Sequence, residues 1–278
     1  MGNGFLLDIG YVGNRGRQLP YEITQTGLPG SGLTGQLANR TAALIQTGTG
    51  LNSNYNSLQV NLTKRFAAGL SFAGAYTYGK ALDYGTNLLD PFNRGNNYGP
   101  ADWDRTHILS VSHDWRLPFK KTGWVGRAVA DWEITGILRW ATGTPYTVTA
   151  DPLACGCLGA SAVPAAFNSA TTNGSTNNGS SSFNPGSFTS PAAGTFGNLA
   201  RNAFRGPDMF VYNAALFRNF AVRENIKLEF RGEAYNLTNT TNPMNPISNF
   251  TTPGFGTSIG NIDGLAGRQF QVAARLLF

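Results

Sequence analysis

Apolar and polar residues alternate with a period of two in eight segments, and a helical period is nearly absent. In SLQVNLTKRF, Leu58, Val60, Leu62 and Phe66 share one face, and Gln59, Asn61, Thr63 and Arg65 the other. LSFAGAYTY sets Leu70, Phe72, Tyr76 and Tyr78 against Ser71, Ala73, Ala75 and Thr77. Only AAG lies between these two segments, which predicts a hairpin with a tight turn at Gly69. HILSVSHDWRL alternates Leu109, Val111 and Trp115 with Ser110, Ser112, Asp114 and Arg116, and His113 intrudes on the apolar row. WEITGILRW opposes Trp132, Ile134, Leu138 and Trp140 to Glu133, Thr135 and Arg139. NIKLEFRGEAYNL opposes Ile226, Leu228 and Phe230 to Lys227, Glu229, Arg231 and Glu233. VYNAALFRNF is a weaker strand, GFLLDIGYVG is the first, and GRQFQVAARLLF is the last. That last segment carries Phe270, Val272, Ala274, Leu276 and Phe278 as one apolar row. Lys64 breaks its row near a strand end, where a long side chain can snorkel.

Each segment approaches the roughly 9–11 residues that a tilted strand needs to cross a bilayer. The connections after Phe66 and Phe220 are short, and the one after Leu117 is moderate. Those after Gly13, Tyr78, Trp140 and Leu237 are long and rich in Gly, Asn, Pro, Ser and Thr. The stretch from Gly13 to Tyr55 offers no clear strand, and SATTNGSTNNGSSSFNPGSFTSPAAG reads as a mobile loop. Short turns on one side and long loops on the other predict an antiparallel transmembrane β-barrel of the outer-membrane type. In that setting one face of each strand meets lipid and the other lines a lumen. Lys227, Glu229, Arg231 and Glu233 then form a lumen-facing polar row whose alternating signs allow pairing across strands. Tyr78, Trp115, Trp132, Trp140 and Phe278 fall near strand ends, where interfacial aromatic girdles belong. A soluble β-sandwich uses the same alternation but explains neither the strand lengths nor the asymmetry of the loops.

Composition narrows the picture further. Only 13% of residues are charged, while 12% are aromatic, which argues against general disorder. The net charge of +6 is scattered, with no basic run, so nucleic acid is not an expected partner. No stretch has the roughly 18 apolar residues of a membrane helix, and the first residues do not read as a signal peptide. Cys155 and Cys157 form a C-x-C pair that is too sparse for zinc, since His107 and His113 lie far upstream. A local disulfide and two free thiols both remain open for it.

Two stretches invite chemistry. Asp104, Arg105 and His107 in DWDRTHIL suggest a His–Asp pair, but no nucleophile motif accompanies them, and a polar cluster where a loop enters a strand is the simpler reading. GLPGSGLT has the glycine spacing of a phosphate loop, yet Leu33 occupies the lysine position and no helical pattern follows. No enzymatic activity, metal site or cofactor is expected.

The ordered series GYVGNRGRQL, NYNSLQVNLTKRF, YTYGKALD, DWDRTHILSVSHDWRLPF, DWEITGILRWATGTPYT and FRGPDMFVYNAALFRNFAVRENIKLEFRGEAYNLTNTTNP resembles the C-terminal barrel of Oar-like TonB-dependent receptors, the carboxypeptidase-regulatory-like family. The resemblance spans essentially the whole chain, loops excepted. It implies that residues 1–278 are about eight C-terminal strands of a barrel of about 22. The signal peptide, plug and early strands would lie outside this sequence. It further implies transport of a bulky, unidentified solute, energy supplied by the TonB system through a plug, and residence in the outer membrane of a Gram-negative-type bacterium, in contact with its lipid. Phe270, Val272, Ala274, Leu276 and Phe278 resemble the terminal signal read by the barrel-assembly machinery. Asn213 stands where the family often has Asp. The competing expectation is a complete eight-stranded outer-membrane barrel with an adhesin or structural role.

Overall fold

The computed structural model describes residues 4–25, 44–90, 93–119, 122–124, 126, 130–155, 162–167, 185–193, 195–223, 226–262 and 267–278. Eight long strands occur in chain order: β1 (Phe5–Gln25), β2 (Leu44–Ala67), β3 (Leu70–Asp83), β4 (His107–Arg116), β5 (Glu133–Ala141), β6 (Met209–Arg223), β7 (Ile226–Tyr235) and β8 (Gln269–Leu277). Each pairs antiparallel with its sequence neighbours, and a two-residue strand, Gly99–Pro100, adds to β3. All eight predicted strands are present, including the weakly patterned β6.

The register places the predicted apolar rows on one face. Residues directly opposite each other in an antiparallel pair share a face. Ile9 lies opposite Val60, Val60 opposite Tyr76, and Tyr76 opposite Leu109. Leu109 lies opposite Trp140, and Trp140 opposite Phe210. On β7 and β8, Leu228 meets Leu276, Phe230 meets Ala274, and Ala234 meets Phe270. The other face carries Asn61, Ala75, Ser110, Arg139, Glu229 and Arg275, interspersed with Ile137, Val211 and Phe217.

Aromatic rings mark two levels on the apolar face. Tyr78, His107 and Trp140 stack across β3, β4 and β5, with His107 at 5.1 Å from Tyr78 and 6.1 Å from Trp140. At the opposite end Trp132 meets Phe220 and Phe230 edge-on at 6.5 and 6.2 Å. Trp132 and Trp140 are about 26 Å apart along a strand, or roughly 20 Å of depth once tilted, close to the apolar band of an outer-membrane barrel.

Three expectations change. The Gly13–Tyr55 stretch is not a structureless connection, because β1 runs on to Gln25 and β2 begins at Leu44. Its alternation is lost because this hairpin continues past the apolar band, where neither face must be greasy. Backbone pairing carries it, through a register shift at Gly16, Leu19 and Pro20. Strand lengths also exceed the simple crossing length, at 21 residues in β1 and 24 in β2. Finally, His113 is no blemish. Its Nε2 shares a 2.8 Å hydrogen bond with the Tyr212 hydroxyl, reaching across β5 at Gly136. A Cβ at position 136 would stand 2.6 Å from that imidazole, so only glycine leaves room for the bridge.

The snorkelling of Lys64 is as expected. Its ammonium donates to the Ala67 and Leu70 carbonyls at 2.8 and 2.6 Å, at the short-turn end. Ala68 and Gly69 in that turn have φ of 52° and 81°, the type I′ geometry that matches strand twist.

Candidate functional site: inner wall and loop cap

On the polar face, Arg116 Nε lies 3.0 Å from Glu133 Oε2, joining β4 to β5. Arg231 pairs with Glu233 within β7 at 2.7 Å, and the Tyr235 hydroxyl donates to Glu233 at 2.9 Å. Glu229 lies opposite Arg275, and Lys227 opposite Leu277. The row Lys227, Glu229, Arg231 and Glu233 thus occupies the non-apolar face, and Arg231 and Glu233 pair along their own strand.

Above the strands, the long loops interlock. Tyr146, Val148, Ala165, Phe188, Leu199 and Phe255 form a buried cluster, with Phe167, Phe204 and Phe250 packed on it. Phe188 touches Phe255 at 5.5 Å and Phe204 at 5.9 Å between ring centroids. This core draws on the β5–β6 and β7–β8 connections alike. Burial in it raises the Tyr146 phenol above its ordinary range, so the ring stays neutral. Gly143 runs so close to Gly206 that a Cβ there would fall 1.9 Å from the Gly206 carbonyl oxygen.

Arginines tie this cap to the wall. Arg201 is 5% exposed, and its guanidinium reaches Asp83 at 2.5 Å and Asp102 at 2.7 Å. Asn202 donates to the same Asp102 oxygen and to the Pro100 carbonyl, each at 2.7 Å. Arg205 pairs with Asp104. The β1–β2 hairpin joins too: Glu22 N–H donates to the Thr86 carbonyl and Leu88 N–H to the Glu22 carbonyl.

Asp104, Arg105 and His107 do not converge on one point. Asp104 is 1% exposed and accepts from the Ala81 N–H at 2.6 Å as well as from Arg205. Arg105 donates to the Thr142 carbonyl at 2.6 Å. Burial lowers its guanidinium pKa, an effect the Asp208 carboxylate opposes. His107 Nδ1 is hydrogen-bonded to the Tyr76 hydroxyl at 2.7 Å, on the apolar face. Each side chain serves a separate junction between loop and strand. Among the described residues no group of three His, Cys, Asp or Glu side chains could hold a metal.

Phe270, Val272 and Leu276 line the apolar face of β8 and are 54–69% exposed, Ala274 falls between them in the same register, and Phe278 follows the strand at 96%. The Asn213 side chain accepts from the Asn236 N–H at 2.8 Å, an uncharged role in the bend after β7. Leu33 and the glycines around it lie outside the described residues, as does Cys157, while Cys155 ends a short 3-10 turn, Pro152–Cys155. The cap core and Arg201 were not anticipated. Their residues are scattered through loops without period, and of them only Tyr146 and Phe204 fell within stretches carrying the family resemblance.

No curated protein matches the chain significantly. Among solved structures, the outer membrane transporter YddB from Escherichia coli superposes with a TM-score of 0.50 at 10% identity, covering 100% of this chain and 31% of that one. The FpvAI–pyocin S2 complex gives a TM-score of 0.41 at 10% identity, covering 100% of this chain and 24% of that one. This chain therefore spans about a third of the transporter whose fold it shares. The model of the outer membrane beta barrel domain matches residues 1–271. Strands with one lipid face and one polar face, a shared transporter fold and that match lead to one conclusion: the chain belongs to the outer membrane beta barrel domain family and resides in the outer membrane.

Proposed function

We propose that the chain is the C-terminal portion of an Oar-like TonB-dependent receptor that admits a bulky solute across the outer membrane. The observation that carries this reading is the pairing of the sheet. Among the described residues, β1 pairs on its long side only with β2, and β8 only with β7. An open strand edge in lipid leaves backbone N–H and C=O groups unsatisfied, at several kcal/mol per group. Further strands between β8 and β1 would satisfy them and widen the lumen. An eight-stranded barrel has an interior filled by its own side chains, which leaves no path for a bulky solute. The elaborate cap suits a receptor that contacts its solute before admitting it. TonB would then act through a plug supplied by the rest of the protein, with no cofactor and no reaction catalysed by this chain.

The alternative, a complete small barrel, makes a distinct prediction. Single cysteines at Asp8 and Arg275 lie on the polar face of the two outer strands. In a closed eight-stranded barrel they become near neighbours and crosslink within one monomer refolded in detergent. The receptor reading expects no such crosslink, and expects an in-frame plug sequence in the genomic DNA upstream. Efficient intramolecular crosslinking would overturn it.

The terminal row bears on delivery to the membrane. In this reading Phe278→Ala, made in the full-length protein, lowers the amount of folded barrel in outer-membrane fractions and leaves refolding in detergent nearly unchanged, as read by heat-modifiable gel mobility. Normal assembly of the variant in cells would reduce Phe278 to an ordinary interfacial residue.

A further inference from the structure

We propose that Trp103 is a stacking platform for an uncharged saccharide at the inner mouth of the barrel, with Asp102 beside it as a hydroxyl acceptor. The proposal rests on the receptor reading for the purpose of the mouth and adds the class of solute met there.

Trp103 is 64% exposed, although both flanks of its turn are buried. Ala101 and Asp104 are each 1% exposed. The Asp104 N–H closes the turn onto the Ala101 carbonyl at 2.8 Å, and the Ala101 N–H anchors it to the Ala81 carbonyl at 2.9 Å. The Asp104 carboxylate is held by Ala81 N–H and Arg205, and the Asp102 carboxylate by Arg201 and Asn202. Two clamped carboxylates thus bracket an indole that the fold holds out into solvent. Exposing so large an apolar surface on a fixed turn forgoes hydrophobic stabilisation, which a ligand's apolar face would recover.

The direction of the ring decides between a membrane girdle and a ligand. The girdle rings Tyr78, His107 and Trp140 lie on the apolar face. Trp103 instead approaches Tyr55, at 6.3 Å between centroids and 47° between planes. Tyr55 belongs to the opposite face. It is two residues from Ser57, which lies opposite Gly79, and a Cβ at Gly79 would come 3.3 Å from the Tyr55 hydroxyl. Trp103 and Tyr55 therefore stand over the polar wall, at its loop end.

Charge and donor chemistry select the ligand. The carboxylates of Asp83, Asp102 and Asp104 face the guanidiniums of Arg201 and Arg205, with Arg105 close by at its own carbonyl partner. With Asp208 acting on Arg105, four carboxylates face three guanidiniums; this near balance with a slight negative excess disfavours a strongly anionic solute and offers a cation little. Among the described residues, both donors to Asp102 use Oδ1, and the side chain is 76% exposed, which presents Oδ2 to solvent. An aromatic face beside an exposed carboxylate oxygen suits a sugar ring, which offers C–H bonds to the indole and hydroxyls to the oxygen.

The test uses the complete protein that carries this chain, folded in detergent, with its fold verified by heat-modifiable migration. The probes are maltohexaose, cellohexaose, chitohexaose and mannohexaose, with oligogalacturonate and choline as charged controls, followed by calorimetry and tryptophan fluorescence. We expect at least one neutral hexasaccharide to bind at about 10 mM or below, more tightly than either control. Trp103→Ala should weaken it by about tenfold or more, Trp103→Phe less, and Trp124→Ala not at all. Absence of binding by all four sugars, preference for a charged control, or equal affinity in folded Trp103→Ala would overturn the proposal. Trp103→Phe keeps the test alive should the alanine variant misfold. The receptor reading stands apart: it fails on the Asp8–Arg275 crosslink, whereas the platform fails on binding by a protein whose fold is intact.

Discussion

Val60 and Asn61 are adjacent in sequence and face opposite surroundings, and the long strands largely repeat that choice where they cross the apolar band. In the cap, Val148 and Val163 are fully buried in neighbouring clusters, with no period linking them. The wall is specified by a pattern, so its information is spread over some eight strands, and many single changes only perturb it. The cap is specified by a few contacts, each made once, and a single residue can release it. Arg201 shows the difference. It gathers Asp83 and Asp102, from opposite ends of the β3–β4 connection, with one guanidinium.

The sharpest way to break the comparison is at that arginine. Arg201→Ala leaves a carboxylate uncompensated, a change that costs about 3–5 kcal/mol when the pair is buried, and Asp102 exposure places the effect at the lower end. The expected outcome is rapid amide exchange and proteolysis in the cap around Thr147–Ala150 and Phe250, with exchange in β3–β7 unchanged. Loss of protection throughout the wall would show that cap and wall are one cooperative unit.

Charge on the lipid face comes next. Val60→Arg should cost about 2–4 kcal/mol near the bilayer midplane, and Asn61→Arg much less, measured by equilibrium refolding into vesicles. Equal costs would contradict the assignment of faces. A smaller effect belongs to the bridge over Gly136. Tyr212→Phe strands the His113 imidazole against lipid, at about 1–2 kcal/mol. The double variant with His113→Phe should recover most of this, because both polar groups are then gone. Failure to recover would mean that the ring packing, rather than the hydrogen bond, holds the three strands there. The smallest effect stabilises. Ala68 sits at a φ of 52°, so Ala68→Gly should gain roughly 0.5–1 kcal/mol in the β2–β3 hairpin. A loss would show that entropy in the unfolded chain outweighs the relief of strain.

The strands were legible because lipid imposes a binary rule at every position, and a binary rule leaves a readable trace in VNLTKRF or IKLEFRGE. The same logic explains where reading failed. In NRGRQLPYEITQ the hairpin has left the apolar band, the rule no longer applies, and the alternation fades although the backbone pairing continues. His113 looked like a defect because its partner, Tyr212, is 99 residues away on a strand two positions across the sheet. Asp104, Arg105 and His107 were expected as a polar cluster where a loop enters a strand, but they go to separate partners, Arg205, Thr142 and Tyr76, which no local pattern names.

Sequence alone determined the strand order, the two faces, the short and long sides and the tight turn at Gly69, since all of these depend on near neighbours and on one periodicity. Only the tertiary structure decided that the described parts of three long loops meet in one cap, with the β1–β2 hairpin joined to it at Glu22. Its contacts join residues about a hundred positions apart, such as Arg201 with Asp102 and Thr144 with Asn245, and no local preference encodes such meetings. The same holds for Trp103. Its exposure follows from two carboxylate clamps, one buried at Asp104 and one exposed at Asp102, that converge only when the chain has folded.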